Sequence, residues 1–374
     1  MIDLHLAQIG QIAVFLLMLS VLVVLHEYGH FLLARSNGVR VTDFAVGFGP
    51  TLLKWTSPRS GTHYRINALP LGGYCQMKGE DGKSTEAEQQ RQFRSGEAFD
   101  HDNFQAKSPL QRLAIVLAGP VANFIVAIVL LFGGALIFGT PGDVPTTRIF
   151  QLIPDLPAAR AGMQAGDRIV SVNGRVIPDG NVLVNLIHSS TGKRLHVVYD
   201  RNGVQHAADV TPVAQKRYDG QMEGRLGFLP LPESRRVGVA EAWRSSWSQF
   251  SGIFTTTLGA LQALVTHPQT VAGQVRGPIG MYQASAQAQQ FGAYIFISLA
   301  ALISVSLGIF NLLPIPALDG GRAAFILVEM LRGKPVDPEK EALVHVGGFA
   351  VLIALMLAVS FHDVTAALSG RSAF

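Results

Sequence analysis

Histidine and glutamate are out of place in a run of leucine and valine, yet VLVVLHEYGHFLLARS, residues 21 to 36, holds two histidines and a glutamate. From Ile9 to Ala34 the ionisable side chains are His26, Glu27, Tyr28 and His30. In a membrane-length apolar segment each such group costs about 2–3 kcal/mol if left unpaired, so something must offset them. On a helix, positions i and i+4 share one face a turn apart, and His26 and His30 can offer two ring nitrogens to one metal ion. Glu27 projects from a neighbouring face, where it can reach a metal-bound water. His-Glu-x-x-His is the arrangement of zinc hydrolases: two histidine ligands, and a carboxylate that takes the proton of the water. The competing reading is a polar cluster that holds helices together.

A catalytic zinc ordinarily takes three protein ligands and leaves a position for water. The third must lie at the same membrane depth. Leu113–Gly139, the second long apolar segment, offers neither acid nor histidine, and the fourth has only His345 and His362 at its margins. The third ends in NLLPIPALDGGRAAFILVEML, where Asp319 follows 42 residues free of Asp, Glu, Lys and Arg. Asp319 is the expected third ligand. Pro314 and Pro316 keep LLPIPAL extended, and irregular backbone at membrane depth is tolerated where it lines a cavity. Gly320 and Gly321 allow close approach. Asn123 and Asn311 are polar residues inside apolar segments, able to hold a substrate backbone or to hydrogen-bond between helices.

These residues sit in a chain built for a bilayer. It has 374 residues, 48% hydrophobic and 15% charged, with a mean hydropathy of +0.30 and an isoelectric point near 9.3. The basic residues are dispersed and no aromatic-basic stripe appears, which argues against nucleic acid as a partner. The single Cys75 excludes an internal disulfide framework and a multi-cysteine metal site. Four segments reach the roughly 20 apolar residues that a transmembrane helix needs: Ile9–Ala34, Leu113–Gly139, Phe291–Leu318 and Val346–Phe361. MIDLHLAQIGQ lacks the positive start of a cleavable signal, so the first span is expected to be retained. Trp247–Val265 is uncharged but rich in Ser, Thr, Gly and Gln, and reads as an amphipathic interfacial helix. Ten Lys and Arg lie between Arg35 and Lys107 and three between Arg332 and Lys340, against none before Ile9 and one after the fourth span. Positive charge on the cytoplasmic side then puts both termini outside, and the His26 end of the first span and Asp319 near the cytoplasm.

Two β-rich pieces interrupt the spans. VRVTDFAVGFGPTLLKW and THYRINALPLGGYCQMKGE flank the polar turn TSPRSG as a hairpin, apolar enough to touch the membrane. Residues 80–107 are polar and read as solvated. Within 140–290, β-branched runs alternate with Gly, Asn and Asp turns, and PAARAGMQAGDRIVSVNGRVI closely resembles the core of a PDZ domain. Such a fold binds peptide C-termini by strand addition. A role as a spacer is the plainer alternative.

HEYGH, GPVANF and NLLPIPALDGG together resemble the signature set of the site-2 protease family, most closely its bacterial RseP-like branch. GFGP, LPLGGY with Gly72 and Gly73, and the PDZ-like segment extend the likeness over most of the chain. One PDZ-like module is visible, where the enteric members carry two. The resemblance implies one zinc ion held by His26, His30 and Asp319, with Glu27 as catalytic acid/base. It implies an intramembrane zinc metalloprotease of the bacterial inner membrane, cutting single-span proteins that another protease has shortened, among them anti-sigma factors and remnant signal peptides. It also implies a membrane-reentrant hairpin that pairs with unwound substrate. Asn123, Asn311, Pro314, Gly72 and Gly73 are the candidate substrate-binding residues. A zinc hydrolase acting on a lipid, and a PDZ-bearing scaffold with a structural metal, are the alternatives.

The expected fold is a multi-pass α-helical membrane protein of four transmembrane helices with an inserted β-rich PDZ-like domain and a membrane-associated β-hairpin. Its expected parts are a first helix at 1–34, a cytoplasmic hairpin loop at 35–111, a second helix at 112–139 and an extracytoplasmic PDZ-like domain at 140–232. An interfacial helical linker at 233–290, a third transmembrane segment at 291–331, a cytoplasmic loop at 332–345 and a fourth helix with its tail at 346–374 complete it.

Overall fold

The computed structural model describes residues 2–80, 100–216, 222–267, 277–334, 336 and 338–368. Most of the polar stretch expected at 80–107 therefore lies outside the described residues. Among the described residues, four helices are long and apolar enough to cross a membrane, and Trp247–Val265 is not one of them. The chain divides into two compact units. One comprises Met1–Gly133, Ser246–Ala286 and Phe296–Asp363; the other is built on Gly134–Ser245 and Gln287–Ile295.

In the first unit, α1 runs Ile2–Ser36. Its leucine- and valine-rich body contains no proline, and it stops at Asn37-Gly38, where Gly38 takes φ +69° and donates to Arg35 C=O. Strands β1, Val41–Thr56, and β2, His63–Met77, form the expected antiparallel hairpin around 57–62. The inner half of β1 alternates buried and half-buried residues, whereas Phe48, Leu52, Leu53 and Trp55 in its outer half are exposed. An apolar surface of this kind suits lipid better than water. Phe31 of α1 meets Phe44 edge-on at 5.4 Å, and this contact roots the hairpin on the helix.

Helix α2, Pro109–Phe138, opens with a capping box: Gln111 N–H donates to Ser108 Oγ at 3.3 Å and Ser108 N–H donates to Gln111 Oε1 at 3.1 Å. Pro120 lies in its interior and removes one helical hydrogen bond.

The second unit is the PDZ-like module. Its elements in chain order are β3 (Thr140–Leu152), α3 (Pro157–Arg160), β4 (Arg168–Val172), β5 (Arg175–Val176), α4 (Gly180–His188), β6 (Leu195–Arg201), β7 (Val204–Val210), β8 (Val213–Lys216), β9 (Met222–Arg225) and β10 (Phe228–Arg235). The main sheet has the order β10-β3-β4-β6-β7, with antiparallel pairings, while β8 pairs with β9. Asn173 and Gly174, both at positive φ, make the tight turn that the Asn-Gly pair predicts. Ile149, Ile169, Val172, Leu183 and Val197 form its buried core.

The region expected as an interfacial linker is two helices, α5 (Val239–Thr266) and α6 (Pro278–Phe291). Within the first unit, Phe250, Ile253, Phe254 and Leu261 of α5 pack against a buried cluster of Ala127, Leu131, Ala301, Val305 and Ile309. One face of α5 is thus covered by protein. The expected third segment is also two helices: α7, Ala293–Leu312, and α8, Asp319–Arg332, with the proline loop between them. Helix α9, Pro338–Leu368, begins eight residues before the expected fourth span, so most of the loop expected at 332–345 is helical. No residue in its most apolar stretch is fully buried by protein.

Candidate metal and catalytic site

Helical spacing brings the Nε2 atoms of His26 and His30 to 3.2 Å from each other. Each ring is held from behind. His30 Nδ1 lies 2.9 Å from Ile115 C=O, a carbonyl that can only accept, so Nδ1 carries a proton and, in the neutral ring that binds metal, Nε2 presents a lone pair. His26 Nδ1 lies 3.1 Å from the side-chain amide of Asn123, a residue with no solvent exposure. An amide can turn either its oxygen or its nitrogen to the ring. The Asn123 oxygen otherwise has no hydrogen-bond partner; facing Nδ1–H satisfies it and leaves His26 Nε2 as a second lone pair.

The backbone of α2 presses on this pair. A Cβ at Gly119 would stand 2.6 Å from His30 Cε1 and 2.7 Å from His26 Cε1, closer than carbon atoms approach. Gly119 therefore sets the distance between α2 and the imidazoles.

Asp319, the first residue of α8, completes the group. Its Oδ2 lies 3.2 Å from His26 Nε2 and 3.4 Å from His30 Nε2, and this buried oxygen receives no hydrogen bond. Three lone pairs face one another, an arrangement that repels unless a cation sits among them. Tetrahedral zinc with ligand bonds of about 2.0–2.1 Å separates its ligands by about 3.3 Å. The observed separations of 3.2–3.4 Å match that spacing. His26, His30 and Asp319 thus fit zinc in donor type, protonation and spacing.

Glu27 lies beside them on strand β2's side. Its carboxylate accepts a hydrogen bond from Cys75 N–H, and a Cβ at Gly73 would approach Glu27 Cγ to 3.7 Å and Ala45 C=O to 2.7 Å. A cavity of about 200 Å³ is lined by His26, Glu27, Asp319, Asn123, Asn311 and Ala317, with Val23, Leu307 and Leu318 as its apolar walls.

Of the candidate substrate-binding residues, Asn123 and Asn311 line the cavity. Gly73 lies against Glu27, while Gly72, at φ +88°, lies against the Phe48 ring. Pro314 is in the loop before Asp319 and does not line the cavity. Sequence reasoning quoted Gly119 within GPVANF without giving it a role, and missed the Ile115 carbonyl and the Cys75 amide. The last two are backbone groups and leave no trace in residue type. Gly119 precedes Pro120 inside an apolar helix, and that unusual pair was the available signal.

Residues 14–355 match the model of peptidase family M50. The chain belongs to that family. The zinc metalloprotease RasP of Geobacillus kaustophilus is 30% identical over 420 residues, covering 94% of this chain and 96% of the relative. The regulator of sigma-W protease RasP of Bacillus subtilis is 30% identical over 429 residues, covering 95% and 98%. The PDZ domain of an SdrC-like protein from Listeria monocytogenes covers 25% of this chain and 94% of its own length at 20% identity, with a TM-score of 0.21. This M50 protein is a multi-pass intramembrane zinc metalloprotease of the site-2 type with a PDZ-like module, and the His26, His30 and Asp319 cluster fits its zinc.

Proposed function

We propose that the chain cuts within the transmembrane segment of single-span proteins already shortened by another protease, with anti-sigma factors and remnant signal peptides as the substrate classes. The observation that carries this reading is the convergence of His26 and His30, from an apolar helix, with Asp319 beside Glu27. The Bacillus subtilis relative, a regulator of sigma-W protease by name, supports the anti-sigma choice.

His26 Nε2, His30 Nε2 and Asp319 Oδ2 would hold zinc, with Glu27 as the catalytic acid/base. Bound zinc supplies Lewis acidity, which acidifies water and polarises a peptide carbonyl. The Glu27 carboxylate takes the proton of the attacking water and returns it to the departing amine. Cys75 N–H keeps that carboxylate turned toward the cavity. A substrate helix must first give up its own hydrogen bonds, and the hairpin offers strand edges beside the cavity to an extended chain. The Asn311 amide lines the cavity and is available to the substrate backbone, whereas the buried Asn123 side chain is engaged with His26. The charge distribution supports a bacterial inner-membrane location in a lipid bilayer, with both termini and the PDZ-like module outside and the zinc end of α1 toward the cytoplasm.

For the PDZ-like module, bulk exclusion of large ectodomains is better supported than capture of peptide C-termini. Gly227 C=O accepts from Ile153 N–H and Leu231 C=O accepts from Thr146 Oγ1, so the odd residues of β10 turn toward β3. The even residues face the open edge. Positions 230 and 232 are prolines and bring no N–H to a peptide that would add there.

The test is cleavage of a single-span substrate in liposomes by wild type and by Glu27→Gln, with bound zinc quantified in both. The expected result is loss of cleavage with zinc retained. Equal cleavage by the two proteins removes Glu27 from the reaction.

A further inference from the structure

We propose that His345 of α9 is a positioning residue for Asp319, an inference that rests on Asp319 being a zinc ligand. The chain reaches Asp319 from its N-terminal side through the loop 313–318, not through a regular element. Two of those residues, Pro314 and Pro316, have no N–H. The loop is partly closed on itself: Leu313 N–H donates to Phe310 C=O, Ile315 N–H to Leu313 C=O and Leu318 N–H to Ile315 C=O. Ala317 differs. It adopts φ +76°, a region disfavoured for any residue that carries a Cβ, and its N–H leaves the loop to donate to His345 Nδ1 at 2.8 Å.

One further contact holds the imidazole, and another holds α9 against the loop. Its ring lies 5.6 Å from that of Phe325, on the same helix that Asp319 begins. One turn along α9, Gly348 lets the helix backbone approach the loop, where a Cβ would stand 2.6 Å from Pro316 C=O. Because Nδ1 accepts, the ring's proton is on Nε2, which faces Glu341 Oε1 at 3.9 Å. A side chain 28 residues downstream thus holds a backbone amide two residues before the metal ligand, in a conformation that the loop does not favour by itself. The rotation of Ala317 fixes the direction in which the chain enters α8, and with it the aim of the Asp319 carboxylate at the two imidazoles.

The test measures zinc affinity of the full chain in detergent, together with the visible spectrum of the cobalt-substituted protein, for four variants. His345→Leu removes the acceptor and is expected to weaken zinc binding about 10- to 100-fold, the range seen when groups behind metal ligands are removed, and to alter the cobalt spectrum. His345→Asn, whose Oδ1 can stand where Nδ1 stood, is expected to stay near wild type in both. Adding Ala317→Gly to His345→Leu relaxes the positive φ and is expected to recover part of the affinity. Asp319→Asn is the control for the ligand assignment. If it binds zinc normally, the assignment fails first. If it loses zinc while His345→Leu keeps wild-type affinity and spectrum, the positioning role alone is overturned. Equal losses in His345→Leu and His345→Asn also overturn it, because they report general damage to α9.

Discussion

Two aspartates with buried carboxylate oxygens show what separates a finished core from a working site. Asp167, in the turn before β4, is almost fully buried and accepts from Arg201 Nε and Nη2 at 2.8 Å each and from Gln164 N–H at 2.7 Å. Its charge is met by donors on both oxygens, and it braces the Gly-Asp turn of the PDZ-like module. Asp319 Oδ2 is buried as well, yet it receives no hydrogen bond and faces two imidazole nitrogens. An unmet buried acceptor is costly. Where two neighbouring rings hold their own lone pairs toward it, the cost is offset only by a cation. Asp167 is complete when the chain folds; Asp319 is complete when metal arrives.

The most severe way to break this contrast is Gly119→Ala. The added carbon would collide with both histidine rings, so zinc content and cleavage activity should both fall to background, as expected when the metal of a metal-dependent site is lost. Metal analysis of the purified variant checks it, and a zinc-replete Gly119→Ala protein would show that α2 can yield. Asp167→Asn attacks the other side. It leaves Arg201 without its charge partner and should destabilise the module by about 2–3 kcal/mol, the low end for a buried pair because Arg201 is partly exposed. Hydrogen exchange of the β4 and β6 amides reads this loss, and zinc content should not change.

Chelation sharpens the comparison from the metal side. Removing zinc held at 100 times its dissociation constant forfeits about 2.7 kcal/mol of linkage stabilisation. Exchange should rise around α8 while amides near Asp167 keep their protection. Faster exchange in both places would mean that the two aspartates share one cooperative unit.

The smallest effect is expected at a partly exposed carboxylate, Asp102. The Lys78 ammonium donates to Asp102 at 2.6 Å and holds its carboxyl below the usual range. A depressed carboxyl stabilises above its unfolded value of about 3.9 and loses that contribution as pH falls through the folded value. The stability difference between wild type and Asp102→Asn should therefore be under about 1 kcal/mol at pH 6 and should close below pH 4. Denaturation at a series of pH values measures the gap; a constant gap would refute the coupling.

Legibility followed whether a function lay in a side chain or in the backbone. His26, Glu27 and His30 were readable because ionisable groups stand out in an apolar helix, and Asp319 because it ends a charge-free stretch. The hairpin was readable from its β-branched runs and polar turn, and the module from its Gly-Asp and Asn-Gly turns. The hydrogen bonds from Ile115, Cys75 and Ala317 were not readable, since every residue has an amide and a carbonyl. The break between α7 and α8 was only half readable: the prolines marked an extended loop, but not the fresh helix that starts at Asp319. The early start of α9 was missed because Glu339, Lys340 and Glu341 read as loop, although charged residues are good helix formers.

The ion pairs on α8 have a consequence in time. Arg322 pairs with Glu80 across 242 positions, and Arg112 with Glu329 across 217. At about 5–20 residues per second, the ribosome needs roughly 10–50 s to pass from the hairpin to α8. During that interval both histidines and Glu27 are already made, while the third ligand and its anchors are not. A nascent or truncated chain ending before residue 319 therefore lacks one of the three residues whose geometry fits zinc.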